Sequence, residues 1–167
     1  MAVSNHQKRF SNWCRLGGAR LRLLADLVEA ELVDQWITAG YTRCETDPAA
    51  NEPVPGNEIV LTRTIGDDFR SVIFAFDKYR QPAFQLRMIR RKVTAPHDIV
   101  FAGNLVSRAT RYYQFWGKPW WWPGRFWPES MTRRSVAEVA ARHREALAFL
   151  ESGERNRMIS KDWRAER

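Results

Sequence analysis

The sequence predicts an α+β domain: an antiparallel sheet of four to five strands with an N-terminal and a C-terminal helix packed on one face, in two layers. Three observations predict it. Two stretches, one near each end, carry apolar residues at helical spacing. Between them lie short runs rich in β-branched and aromatic residues, separated by turn residues. The chain of 167 residues suits one domain with a sizeable core.

Residues 1–18 read as a basic arm, 19–152 as the domain and 153–167 as a basic tail. In 19–39, Leu21, Leu24, Ala25, Val28, Leu32, Trp36 and Ala39 form one helical stripe, and Gly40 follows as a left-handed stop. Leu23, Leu27 and Ile37 lie on the other side, so this helix is covered twice, by the arm or by a partner. The segment 46–57 holds three prolines and reads as a loop after a short strand candidate at 41–45. EIVLTRT and FRSVIFAFDKY flank IGDD, the signal of a hairpin. Phe84, Leu86 and Met88 alternate with Gln85, Arg87 and Ile89, which gives a third, half-buried strand. Composition tips 106–116 toward another. Ser135 and Glu138 form a capping-box pattern that starts the last helix, and Gly153 ends it.

The segment FWGKPWWWPGRFW holds five of the eight tryptophans: Trp116, Trp120, Trp121, Trp122 and Trp127. Its prolines and glycines forbid a regular helix, so it reads as a shaped strap. A buried tryptophan removes about 150–250 Å² from water, and monomers rarely expose apolar patches beyond a few hundred. Some of these rings must therefore roof the core, and the rest offer stacking faces.

The net charge is +8, with +6 of it in residues 103–167, which favours an acidic partner. Tryptophan beside Arg125 is the composition of protein-interface hot spots. It also suits single-stranded nucleic acid, with bases stacked on rings and arginines on phosphates. Arg87 and Arg91 share one strand face and could line a basic groove with Arg63 or Arg70; a solvated strand face is the plainer reading. The binding set is thus Trp116, Trp120, Trp121, Trp122, Arg125, Trp127, Arg87 and Arg91.

Catalytic signatures are sparse. There is no Walker loop, G-x-S-x-G, H-E-x-x-H or C-x-x-C. Glu58, Asp67, Asp68 and Asp77 with Lys78 loosely imitate a carboxylate–lysine cluster on a hairpin. His6, His97 and His143 are scattered, and His143 falls on an apolar helical stripe as a core histidine would. Cys14 and Cys44 form no disulfide framework or metal quartet. Gly17-Gly18 before a helix reads as a flexible entry rather than a phosphate site. No cofactor or metal is expected. Without an apolar leader or a membrane-crossing run, the expected location is the cytoplasm.

The layout resembles that of small bacterial α+β domains. The resemblance rests on a first helix ending in Gly40-Tyr41, the strand EIVLTR, the WWWP segment and a closing helix, over about 19–152. Some such domains are similar to immunity proteins that neutralise toxins. It implies a small bacterial binding protein without catalytic activity and carries over no functional residue. The first expectation is recognition of a protein partner through the strap; the alternatives are a single-stranded nucleic-acid binder and an enzyme built on the hairpin carboxylates.

Overall fold

The computed structural model describes residues 4–47, 52–94, 97–106, 116–117 and 128–161. Ser4 opens the first helix, α1 (Asn5–Leu16), with a reciprocal capping box. Its hydroxyl accepts from the Gln7 N–H, and the Gln7 side chain accepts from the Ser4 N–H. His6, Phe10 and Cys14, four residues apart, turn one face inward, and Phe10 packs its ring 5.2 Å from Phe76. The stretch expected as a basic arm is a helix that contributes to the core.

The next helix runs as α2 (Ala19–Leu27), a π-helical stretch (Val28–Val33) and α3 (Asp34–Thr38) without a break. Bonds that reach one residue further rotate the face that follows. The pairs Leu27–Val28 and Leu32–Val33 are consequently both buried, together with Leu21, Leu24 and Trp36. Helix α1 lies against α2, and Leu23 packs on the core, so the second apolar side is partly covered; Ile37 stays exposed. The end is a left-handed Gly40 (φ +86), with the Tyr41 N–H donating back to the Trp36 carbonyl at 3.0 Å.

The sheet has six antiparallel strands rather than four to five, in the order β1-β4-β5-β6-β7-β8. They are β1 (Thr42–Arg43), β4 (Glu58–Ile65), β5 (Asp68–Phe76), β6 (Phe84–Thr94), β7 (His97–Leu105) and β8 (Ile159–Lys161). A separate ribbon joins β2 (Thr46–Asp47) to β3 (Glu52–Pro53) inside the expected loop. The extra strand is β8, which lies in the expected tail and pairs with Gly103–Leu105. Gly66, at φ +57, turns β4 into β5 as the IGDD signal requires. The fourth long strand comes earlier than expected, at His97–Leu105. Val106 follows it, and of the expected span 106–116 residues 107–115 lie outside the described residues.

Helix α4 (Glu129–Ala140) starts before Ser135, with Pro128 as its cap residue. Ser135 is mid-helix and caps nothing. A break at Ala141–Arg142 separates it from α5 (His143–Ser152), which Gly153 closes at φ +78.

Register arranges the helix-facing side of the sheet in cross-strand rows: Ile59–Phe74–Leu86, then Leu61–Val72–Met88–Gly103, then Arg63–Arg70–Arg90–Phe101, then Ile65–Asp68–Lys92–Ile99. The apolar rows share one buried cluster with Leu24, Val28 and Trp36 from the first helices and Val136, Phe149 and Leu150 from the last. The arginine row marks where that apolar packing ends. On the opposite side, Val60 and Ile73 form a small second cluster with Val54.

Candidate functional site

Trp116 is core. Only 3% of its surface is exposed. Its backbone exchanges two hydrogen bonds with Phe84, at 2.7 and 2.9 Å, and its indole Nε1–H donates to the Leu105 carbonyl at 3.2 Å. Gly117 follows at φ +101 and donates its N–H to the Ser135 hydroxyl at 2.8 Å. A Cβ at Gly117 would sit 2.5 Å from the Pro82 carbonyl, so this close approach needs glycine. Together these contacts make a clamp between β6 and α4. Trp120, Trp121, Trp122, Arg125 and Trp127 lie outside the described residues. The chain that carries them leaves the clamp at Gly117 and rejoins the described fold at Pro128, the cap of α4.

Arg87 and Arg91 share a face of β6, as alternation requires, and both have interactions there. Arg87 is half-buried between Ile73 and Asn104, and Arg91 is exposed between Phe69 and Val100. They do not line a groove with Arg63 or Arg70. The register pairs Arg70 with Arg90, so the groove pairing expected for Arg87 and Arg91 is replaced by a row of Arg63, Arg70 and Arg90 on the helix side.

That row carries a bridging carboxylate. Asp68 accepts from Arg70 at 2.7 and 3.1 Å and from Arg90 at 3.0 Å. Burial pushes its carboxyl up, but the hydrogen bonds and charges of Arg90 and Arg70 together outweigh it and hold the carboxyl below the usual carboxylate range. Arg63 donates to the Ala39 carbonyl at the end of α3, at 2.9 Å, and Arg90 to the Glu151 carbonyl at the end of α5, at 2.5 Å. Cations at helix C-termini are favourable because the unpaired carbonyls carry partial negative charge. Tyr41, 1% exposed, stacks edge-on against Trp36, and its buried hydroxyl has no hydrogen-bond partner. Burial pushes that hydroxyl up to about 12, while nearby Arg70 and Arg63 pull the other way.

The hairpin carboxylates do not converge. Glu58 begins β4 and Asp68 begins β5, at opposite ends of the hairpin, so about 23 Å of strand separates their positions. Asp77 turns the chain after β5 by accepting from the Tyr79 N–H at 2.8 Å. His6 and His143 make structural contacts. His6 Nε2 lies 2.9 Å from the Glu58 carbonyl and ties α1 to β4, while the His143 ring packs edge-on at 4.4 Å from Trp36. Burial lowers both pKa values. Cys14 is buried, its thiol pushed up to about 12 by burial, which leaves it unreactive. Cys44 lies 2.9 Å from the Thr62 hydroxyl. Among the described residues no three His, Cys, Asp or Glu side chains cluster to hold a metal, and no helix is long and apolar enough to cross a membrane.

No protein-family model, curated protein or solved structure matches the chain.

Proposed function

We propose that this chain is a non-catalytic binding protein that recognises a protein partner through the Trp/Arg segment 118–127. The observation that supports the reading is the Trp116–Gly117 clamp. It spends one tryptophan on the core and fixes the start of the segment on rigid structure, while Pro128 at the cap of α4 fixes its end. Fixed flanks reduce the freedom a recognition segment has to lose on binding, so more of its contact energy appears as affinity. Four further tryptophans lie within those ten residues, with Lys118 and Arg125 beside them. Tryptophan and arginine dominate the residues whose loss costs most at protein interfaces.

The test compares Trp121→Ala and Arg125→Ala with the unaltered chain, in capture of a partner from native lysate and in melting temperature. Loss of capture with the melting temperature kept is the expected result; simple unfolding of both variants would assign the segment to the core. The competing outcome is a nucleic-acid partner, checked by titrating mixed-sequence single-stranded DNA and RNA while following tryptophan fluorescence. Saturable quenching that weakens about 50-fold between 50 and 200 mM salt would mean about four phosphate contacts and would replace the protein reading.

A further inference from the structure

Like charges placed directly opposite each other on neighbouring strands destabilise a sheet unless an anion lies between them. Arg63, Arg70 and Arg90 are such a row, each directly opposite the next. Between Arg70 and Arg90 the anion is present: Asp68 bonds both. Between Arg63 and Arg70 no carboxylate bonds both among the described residues; Arg63 makes its hydrogen bond to the Ala39 carbonyl instead. The Tyr41 hydroxyl is in the field of both arginines and is buried without a partner. A buried hydroxyl left unpaired costs about 1–3 kcal/mol, so this corner of the fold holds one unmet buried donor beside two arginines with no carboxylate bonded to both. Arg70 is itself more than nine-tenths buried.

We propose that Arg63, Arg70 and the Tyr41 hydroxyl form a binding site for a phosphate-like oxyanion, either free or at the end of a larger ligand. The anion takes the place between Arg63 and Arg70 that Asp68 takes between Arg70 and Arg90. Guanidinium forks match tetrahedral and planar oxyanions through paired N–H donors, and the unpartnered Tyr41 hydroxyl adds a further donor. The row lies where the apolar helix packing stops, and the next row outward carries the exposed Ile65 and Ile99, so the site is approached from that end of the sheet. The Glu151 and Asp68 charges near Tyr41 oppose binding and set an upper limit to affinity.

The experiment titrates the full chain with inorganic phosphate at constant ionic strength, balanced with chloride, and reads the melting temperature and the phosphorus NMR linewidth. A saturable rise of a few degrees with phosphate, absent with chloride, is expected. Tyr41→Phe should fold, melt at or above the unaltered chain without phosphate, and bind phosphate at least fivefold more weakly. Arg63→Gln should abolish the effect, whereas Arg91→Gln, on the opposite face, should leave it intact. A short oligonucleotide with and without a 5′-phosphate separates the sources: tighter binding of the phosphorylated form than of inorganic phosphate supports a larger ligand, and equal binding supports free phosphate. The proposal is overturned if the phosphate effect does not saturate or if Tyr41→Phe retains it in full. Should Arg63→Gln fail to fold, the Tyr41→Phe comparison still decides.

Discussion

Replacing Trp116 by alanine separates a structural role from a recognition role within one aromatic segment. The side chain is almost wholly buried, so it removes about 150–250 Å² from water. At roughly 25 cal/mol per Å² that is about 4–6 kcal/mol, in line with the ~3–5 kcal/mol that tryptophan-to-alanine changes in cores cost. The indole bond to the Leu105 carbonyl is lost as well, leaving a buried acceptor at a cost of about 1 kcal/mol or more. Total stability for a domain of this class is about 5–15 kcal/mol, so Trp116→Ala should remove a third or more of it. In urea the midpoint should fall with little change in slope, and the melting temperature should drop by about 10–25 °C, from roughly 2–4 °C per kcal/mol. Trp116→Phe retains the ring burial and loses the donor, so its cost should be only about 1–2 kcal/mol. If Trp116→Ala stays within about 1 kcal/mol of the unaltered chain yet abolishes binding of a partner, the clamp is not what holds the segment and the division of roles argued above fails.

Two other perturbations follow from the same contacts. Burial holds His6 and His143 below the ordinary value of 6.5 in the folded chain. As pH falls below 6.5 the unfolded chain binds protons that the folded chain refuses, so stability should be flat above that value and decline beneath it. His143→Phe keeps the edge contact with Trp36 and removes one of the two titrations; its melting temperature between pH 7.5 and 5.5 should decline less steeply, and an unchanged slope would place the acid sensitivity elsewhere. Ser135→Ala removes the acceptor for the Gly117 N–H and should cost about 1 kcal/mol with unchanged far-ultraviolet dichroism. A loss of helix content would instead restore Ser135 as a helix start.

The parts of this fold that were legible have their signal in adjacent residues. IGDD needs only Gly66 at positive φ to turn β4 into β5, and Gly40 and Gly153 end helices by the same local means. Alternation along Phe84–Met88 was equally plain. Helix α1 is not legible although Ser4 and Gln7 spell a capping box, because, of its apolar residues Phe10, Trp13, Cys14 and Leu16, only Phe10 and Cys14 are buried on one face, and His6 completes that face. The pair Ser135 and Glu138 spelled the same pattern and was misleading: the pattern has no meaning once Pro128 has already started the helix. Strand β8 has three residues and exists because β7 offers it an edge, which no local window can show.

The arginine row was out of reach for a different reason. Arg87, Arg90 and Arg91 are all on β6, and alternation alone decides which of them can share a face. It does not decide which face meets Arg70; that depends on how β5 and β6 slide against each other across the loop 77–83. A slip of one residue would have turned Arg87 and Arg91 to the helix side of the sheet and Arg90 to the other. The observed register, with Phe76 opposite Phe84, is fixed by burying Phe74, Leu86, Val72 and Met88 together beneath the helices. Apolar burial therefore selects the arginine that stands next to Arg70, and the charge pattern is a consequence of the core. The Tyr41 hydroxyl is buried by the same packing: Gly40 turns the chain at the end of α3, and Trp36 packs edge-on against the ring. A site assembled in this way is written in the packing of residues that never touch the ligand, which is why changing a buried neighbour such as Met88 should disturb it as surely as changing Arg63.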